Sequence, residues 1–156
     1  MEQLDCLNQV AEFHRTFKHP ILDTPQIPSP ERCNLRVALI AEELKELEVA
    51  ILEKDIVGVA DALADIQYVL SGAVLEFGLG GKFRALFDEV QRSNMSKACN
   101  TVEEAETTVR HFQDKGTDCY YREDAGKYLV YRTADNKTLK SVFYSPADLE
   151  AVLENK

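Results

Sequence analysis

Residues 56–79 of this chain are apolar almost without interruption, yet they carry Asp61, Asp65 and Glu76 and no basic residue. Their composition, with Gly78, Gly80 and Gly81 freeing the backbone beyond them, predicts a helix over residues 56–77. A helix apolar around most of its circumference belongs inside a bundle, so this one is expected to be buried. Asp61 and Asp65 stand four apart and share one face, together with Ala64, Tyr68 and Gly72. Carboxylates buried there demand basic partners, protonation or bound cations. The alternative is local: the helix N-terminus stabilising Asp61, and a backbone or Tyr68 hydrogen bond serving Asp65. The same acids argue against reading the run as a membrane span.

A second acidic group precedes this helix. The pair Ser29 and Pro30 opens a helix expected to reach about Lys54, with Ser29 as N-cap and Pro30 at the first helical position. On it, Glu42, Glu43 and Glu46 fall within an arc of about 100°, with the apolar stripe Val37, Ile40, Leu44, Leu47 and Ile51 roughly opposite. Charge runs on helices are ordinarily solvated faces. Here Leu39 and Ala50 continue the acidic arc, which a solvent face would not favour. Five acids on two adjacent helices suit a hard cation such as Mg²⁺, which takes carboxylate oxygens and keeps waters that a phosphate can displace. A di-iron bundle would need Glu-x-x-His steps, and His14, His19 and His111 stand at no such spacing.

The rest of the 156 residues frames these two helices. A first helix is expected over residues 2–18, ending before Pro20, and Pro20, Pro25, Pro28 and Pro30 make an irregular connector. A fourth helix over residues 82–92 leads into Ser93, Asn94, Met95, Ser96 and Lys97. Four helices so joined predict a four-helix-bundle-like core. Beyond Cys99, Thr101 and Glu104 form a capping-box pattern for a short helix to about Gln113. Runs at 118–122, 128–133 and 138–144, rich in Tyr, Val and Thr, predict an antiparallel hairpin or meander, and Ser145 and Pro146 precede a last short helix. The fold class is therefore mainly α, with a helical core over residues 1–97 and a small α+β extension over 98–156.

The formal charge of −9 disfavours a nucleic-acid polymer or an anionic membrane as partner. Four dispersed cysteines without a CxxC pair, and a start lacking a basic stretch before an apolar one, lead to the expectation of a cytoplasmic protein with free thiols. Broad apolar helix faces lead to the expectation of a homodimer or homotetramer with its site near a subunit interface.

The pattern Glu42-Glu43-x-x-Glu46 followed by Asp61-Ala-Leu-Ala-Asp65 resembles the EExxE plus ExxD signature of the MazG-like all-α nucleotide pyrophosphohydrolases, which include phosphoribosyl-ATP pyrophosphohydrolase. The resemblance runs over roughly residues 8–97, through Glu12-Phe13-His14, Leu35-Arg36 and the stretch from Phe87 to Lys97, with a weaker return at 137–140 and 144–149. One departure is clear: the second motif usually has Glu three residues before its last Asp, where this chain has Ala62 and the acid moves to Asp61. Four-residue spacing keeps the face, but the shorter side chain leaves the number of metals open. The resemblance implies Mg²⁺-assisted (alternatively Mn²⁺-assisted) hydrolysis of a nucleoside triphosphate or related nucleotide to monophosphate and pyrophosphate. Carried onto matching positions, Glu42, Glu46, Asp61 and Asp65 would hold the metal, and Glu43 would orient or deprotonate the attacking water. Asn94 and Lys97, with Arg92 behind them, are candidates for the phosphates, and His14 for the base or sugar, with packing as its alternative role. A binding module of the same fold without turnover is the competing reading.

Overall fold

The computed structural model describes residues 4–154. Six helices and three strands follow in the order α1 (Cys6–Phe17), α2 (Pro30–Glu53), α3 (Ile56–Glu76), α4 (Phe83–Met95), α5 (Val102–Asp114), β1 (Cys119–Asp124), β2 (Lys127–Arg132), β3 (Thr138–Leu139) and α6 (Leu149–Glu154). The chain is therefore mainly helical, with one small antiparallel sheet near its C-terminus. It divides into two compact units after Arg84, so that α4 groups with the C-terminal elements.

In the first unit, α2 and α3 form an antiparallel hairpin. Lys54 closes α2 in the left-handed conformation (φ 58°), its N–H reaching the carbonyls of Ala50 and Ile51. The Asp55 carboxylate then caps α3 by accepting from the Val57 N–H at 3.0 Å. Two residues thus reverse the chain, and positions equally distant from the turn come to lie beside each other. Gly58 permits the close approach: a Cβ there would stand 3.1 Å from the Ala50 Cβ and 2.8 Å from an Asp55 carboxylate oxygen. α1 packs on the far half of α3, where Val10, Ala11 and Leu75 form a small core with Ile21 against it.

That arrangement corrects one expectation. Within this unit α3 is buried only over its later part, at Ser71, Gly72, Val74, Leu75 and Glu76, and at Ala62. Ile56 and Leu63 are 75% and 52% exposed, because only α2 flanks the first half of the helix while α1 covers the second. Ser29 stands at the N-cap of α2 but makes no side-chain cap bond, so Pro30 and the extended backbone of Ser29 mark this start. Residues 2 and 3 of the expected first helix lie outside the described residues, and the helix opens at Cys6.

The second unit wraps α5 and the meander β1-β2-β3 around Cys99, Ala105, Cys119 and Val130. Ala125 and Gly126, at φ 47° and 75°, make the two-residue turn between β1 and β2. Thr101 caps α5 as expected, accepting from the Glu104 N–H at 3.2 Å. β3 is shorter than its sequence run, ending at Leu139. Residues 140–148 leave the sheet because their hydrogen bonds go to the end of α4: Ser141 N–H donates to the Lys97 carbonyl, Ser145 N–H to the Ser96 hydroxyl, and the Arg92 guanidinium to the Pro146 carbonyl.

Candidate active site

The hairpin sets the acids of α2 beside those of α3. Glu46 and Asp61 line one cavity of about 300 Å³ together with Val49, Ala50 and Gly58. Glu43 is half-buried, whereas Glu42, Glu46, Asp61 and Asp65 are exposed. Its carboxyl is pushed above the ordinary carboxylate range, first by burial and then by the negative charges of Asp65, Glu46, Glu42 and Asp61. One group therefore feels all four others: the five acids make a single field. No ion pair relieves it among the described residues, since Lys45, the basic side chain nearest in sequence, bonds Glu48 at 2.5 Å.

The donor chemistry fits a hard divalent cation: exposed carboxylate oxygens, unpaired and mutually repelling. Among the described residues no three of these side chains already converge into a ligand set.

At the other end of the hairpin lies an ionic cluster that the sequence reading missed. Glu76, 1% exposed, accepts from Arg32 Nε at 3.0 Å and from Arg36 Nη2 at 2.5 Å, with a second bond from Arg32 Nη2. Burial alone would raise its pKa; the two guanidiniums outweigh this and hold it below the usual range. Arg36 Nη2 also donates to His14 Nε2 at 3.1 Å, while His14 Nδ1–H donates to the Pro20 carbonyl at 2.9 Å. A carbonyl only accepts and a guanidinium only donates, so His14 is neutral with its proton on Nδ1. Burial lowers its pKa, with the bond to Pro20 working the other way, and agrees with that state. Gly72 makes the room, since a Cβ there would be 2.5 Å from Arg36 Nη1. The available signal was Arg32 and Arg36 one turn apart at the start of α2, with an unpaired glutamate at the end of an apolar helix.

His14 thus lies inside the unit with both ring nitrogens engaged. It is also one wall of a second cavity of about 230 Å³, with Phe13, His19, Leu39, Arg36 and Tyr68 among the others. The Phe13 ring meets Tyr68 edge-on at 5.7 Å and stacks on His19 at 5.7 Å. Leu39 and Tyr68 stand one turn from Glu42 and Asp65, so this aromatic cavity adjoins the acidic field.

The remaining candidates belong to the second unit. Lys97 Nζ donates to Asn94 Oδ1 at 2.6 Å. Arg92 makes a two-pronged pair with Glu89, holding the Glu89 pKa down at about 2, chiefly through that hydrogen bond and then through the Asp148 N–H. Tyr144 O–H lies 3.3 Å from the Ser93 hydroxyl, and Lys140 Nζ sits 4.5 Å from the Tyr144 ring centre.

An all-helical hairpin thus bears one acidic field from two helices beside an aromatic cavity, which defines the class as a helical protein with a carboxylate-rich site. The profile of the phosphoribosyl-ATP pyrophosphohydrolase family matches residues 10–94, more than half of the chain. The chain belongs to that family, whose members are nucleotide pyrophosphohydrolases of the MazG-like class and generally depend on divalent metal. It is also similar to an uncharacterised protein of Acanthamoeba polyphaga mimivirus, 31% identical over 122 residues that cover 71% of this chain and 49% of the viral protein. The chain spans about half the length of that relative.

Proposed function

We propose that the protein is a Mg²⁺-dependent pyrophosphohydrolase that converts a (d)NTP or a related nucleotide to the monophosphate and pyrophosphate. The observation that carries the reading is the shared field of Glu42, Glu43 and Glu46 on α2 with Asp61 and Asp65 on α3. Glu42, Glu46, Asp61 and Asp65 would hold Mg²⁺ or Mn²⁺, which when bound supplies charge neutralisation for the polyphosphate. Glu43 sits in the middle of the five and is the half-buried one. It orients the attacking water and takes its proton as the new P–O bond forms and the bridging P–O bond breaks. The aromatic cavity of Phe13, His19 and Tyr68 receives the base; His14 walls it instead of bonding the ligand, because its polar atoms are spent. Asn94 and Lys97 meet the phosphates, Asn94 by holding the ammonium, while Arg92 serves the protein's own contacts.

Assembly follows from the apolar surface. Val37, Leu44 and Ile51 recur every seven residues on α2 and are 69%, 58% and 58% exposed; Ile56, Leu63 and Leu70 repeat the spacing on α3. Such a face favours a homodimer or homotetramer. α3 has the length and composition of a membrane span, but Asp61, Asp65 and the ion-paired Glu76 fit a site wall better. Four free cysteines accord with a reducing cytoplasm.

The test is a panel of NTPs and dNTPs with Mg²⁺, reading pyrophosphate release. Release from at least one nucleotide, lost in Glu43→Gln, is expected. Tight binding with no release from any of them would favour the second reading, a nucleotide-binding module, which the Asp61 form of the second motif supports.

A further inference from the structure

Lys140 lies far from α4 in sequence, and the structure brings it back. β3 delivers the chain to residue 140, and the following segment is bound along the last turn of α4 and the residues after it. Ser141 N–H donates to the Lys97 carbonyl at 2.9 Å, Ser145 N–H to the Ser96 hydroxyl at 3.0 Å, and Asp148 N–H to the Glu89 carboxylate at 2.8 Å. Ser141 is 4% exposed, so this docking is part of the unit's interior. Its effect is to gather cations around one ring. Lys140 Nζ lies 4.5 Å from the centre of Tyr144, whose hydroxyl is bonded to Ser93 at 3.3 Å. The Tyr144 hydroxyl is made more acidic by that bond and then by the charges of Lys140, Lys97 and Arg92, which places all three within electrostatic reach of one oxygen. Arg92 is neutralised by Glu89. Lys97 and Lys140 are not paired with any carboxylate among the described residues, and Lys140 remains exposed.

We infer that Lys140 is a phosphate-binding residue, forming with Lys97 a site for a polyphosphate anion within this unit, while Tyr144 positions the Lys140 ammonium. The inference rests on the nucleotide reading for the identity of the ligand but not for the existence of the anion site. Both ammonium groups act on the Tyr144 oxygen and neither has a carboxylate partner among the described residues, so a polyanion can supply the counter-charge while each lysine keeps donors for its oxygens. Nothing in the folding of the unit requires the charge at position 140, since the segment is held by backbone groups, by Ser96 and by Arg92.

The experiment measures binding of inorganic tripolyphosphate to the full chain in Mg²⁺ by calorimetry. Lys140→Met is expected to weaken binding by about tenfold, Lys140→Arg to restore most of it, and the exposed control Lys115→Met to leave it unchanged. Tyr144→Phe, which keeps the ring under the ammonium, should stay within about threefold of the native chain. Tripolyphosphate binding by Lys140→Met within twofold of the native chain, with the circular dichroism unaltered, would overturn the inference while leaving hydrolysis intact. Tripolyphosphate binding that depends on Lys140 in a chain that hydrolyses no nucleotide would support the anion site and reject the nucleotide reading instead.

Discussion

Glu76 sets the charge balance of the first unit's interior. One carboxylate, 1% exposed, answers two guanidiniums, and Arg36 in turn fixes the tautomer of His14. Removing the carboxylate strands Arg36, itself 7% exposed, without a counter-charge. Glu76→Ala should therefore cost about 3–5 kcal/mol in urea unfolding, far more than an exposed Glu→Ala change. The pH dependence follows from the direction of the shift. The folded-state pKa of Glu76 lies below its ordinary 4.5, so its contribution is fully present above that value and is lost as pH falls through the folded pKa. The stability gap between the native chain and Glu76→Gln should accordingly shrink as pH is lowered from 6 towards 3. His14, also lowered, acts in the same direction from its ordinary 6.5 downward. A gap that widens between pH 4.5 and 3 would contradict the ion pairing of Glu76.

The α2–α3 hairpin is the element that makes a site out of two sequence motifs. Because two residues close it, the spacing of Glu46 and Asp61 from the turn is enough to bring them to one cavity, and Gly58 lets the helices approach at the start of α3. Gly58→Val should push the helices apart and cost about 1–3 kcal/mol, and it should weaken Mg²⁺-dependent stabilisation without altering any carboxylate. Thermal melts with and without Mg²⁺ check this. Helix boundaries and acid spacing were legible in the residues because both are local: Pro30 and the glycines after Phe77 punctuate the chain, and four-residue steps fix a helical face. The burial of α3 was not legible. Composition reports how apolar a helix is, and only the tertiary arrangement decides that α1 covers Gly72 and Leu75 while Leu63 stays open. The Arg32–Glu76–Arg36 cluster was hidden for the same reason, its members lying 44 and 40 residues apart. Lys140 and Tyr144 were visible as a sequence match, but their return to Ser93 and Lys97 depends on the docking of residues 140–148.

At the scale of the whole molecule, the apolar faces of α2 and α3 and the acidic field lie on the same hairpin, so the proposed assembly and the proposed chemistry would share one element. Leu44→Glu, placed in the open stripe, should reduce the native chain's mass in sedimentation or light scattering to that of a monomer, and a native chain already monomeric at micromolar concentration would contradict the proposed assembly. The second unit contributes its own cations, with Lys97 and Lys140 gathered beside Tyr144. The proposed chemistry requires carboxylates from α2 and α3 to serve one ion. The most direct measurement is the Mg²⁺-dependent rise in Tm for the native chain, Glu46→Ala, Asp65→Ala and the double variant. A shared ion predicts that each single substitution abolishes the rise and that the double variant loses nothing more. A rise kept at its native size in either single variant, or losses that simply add, would mean that the two helices do not hold a common cation.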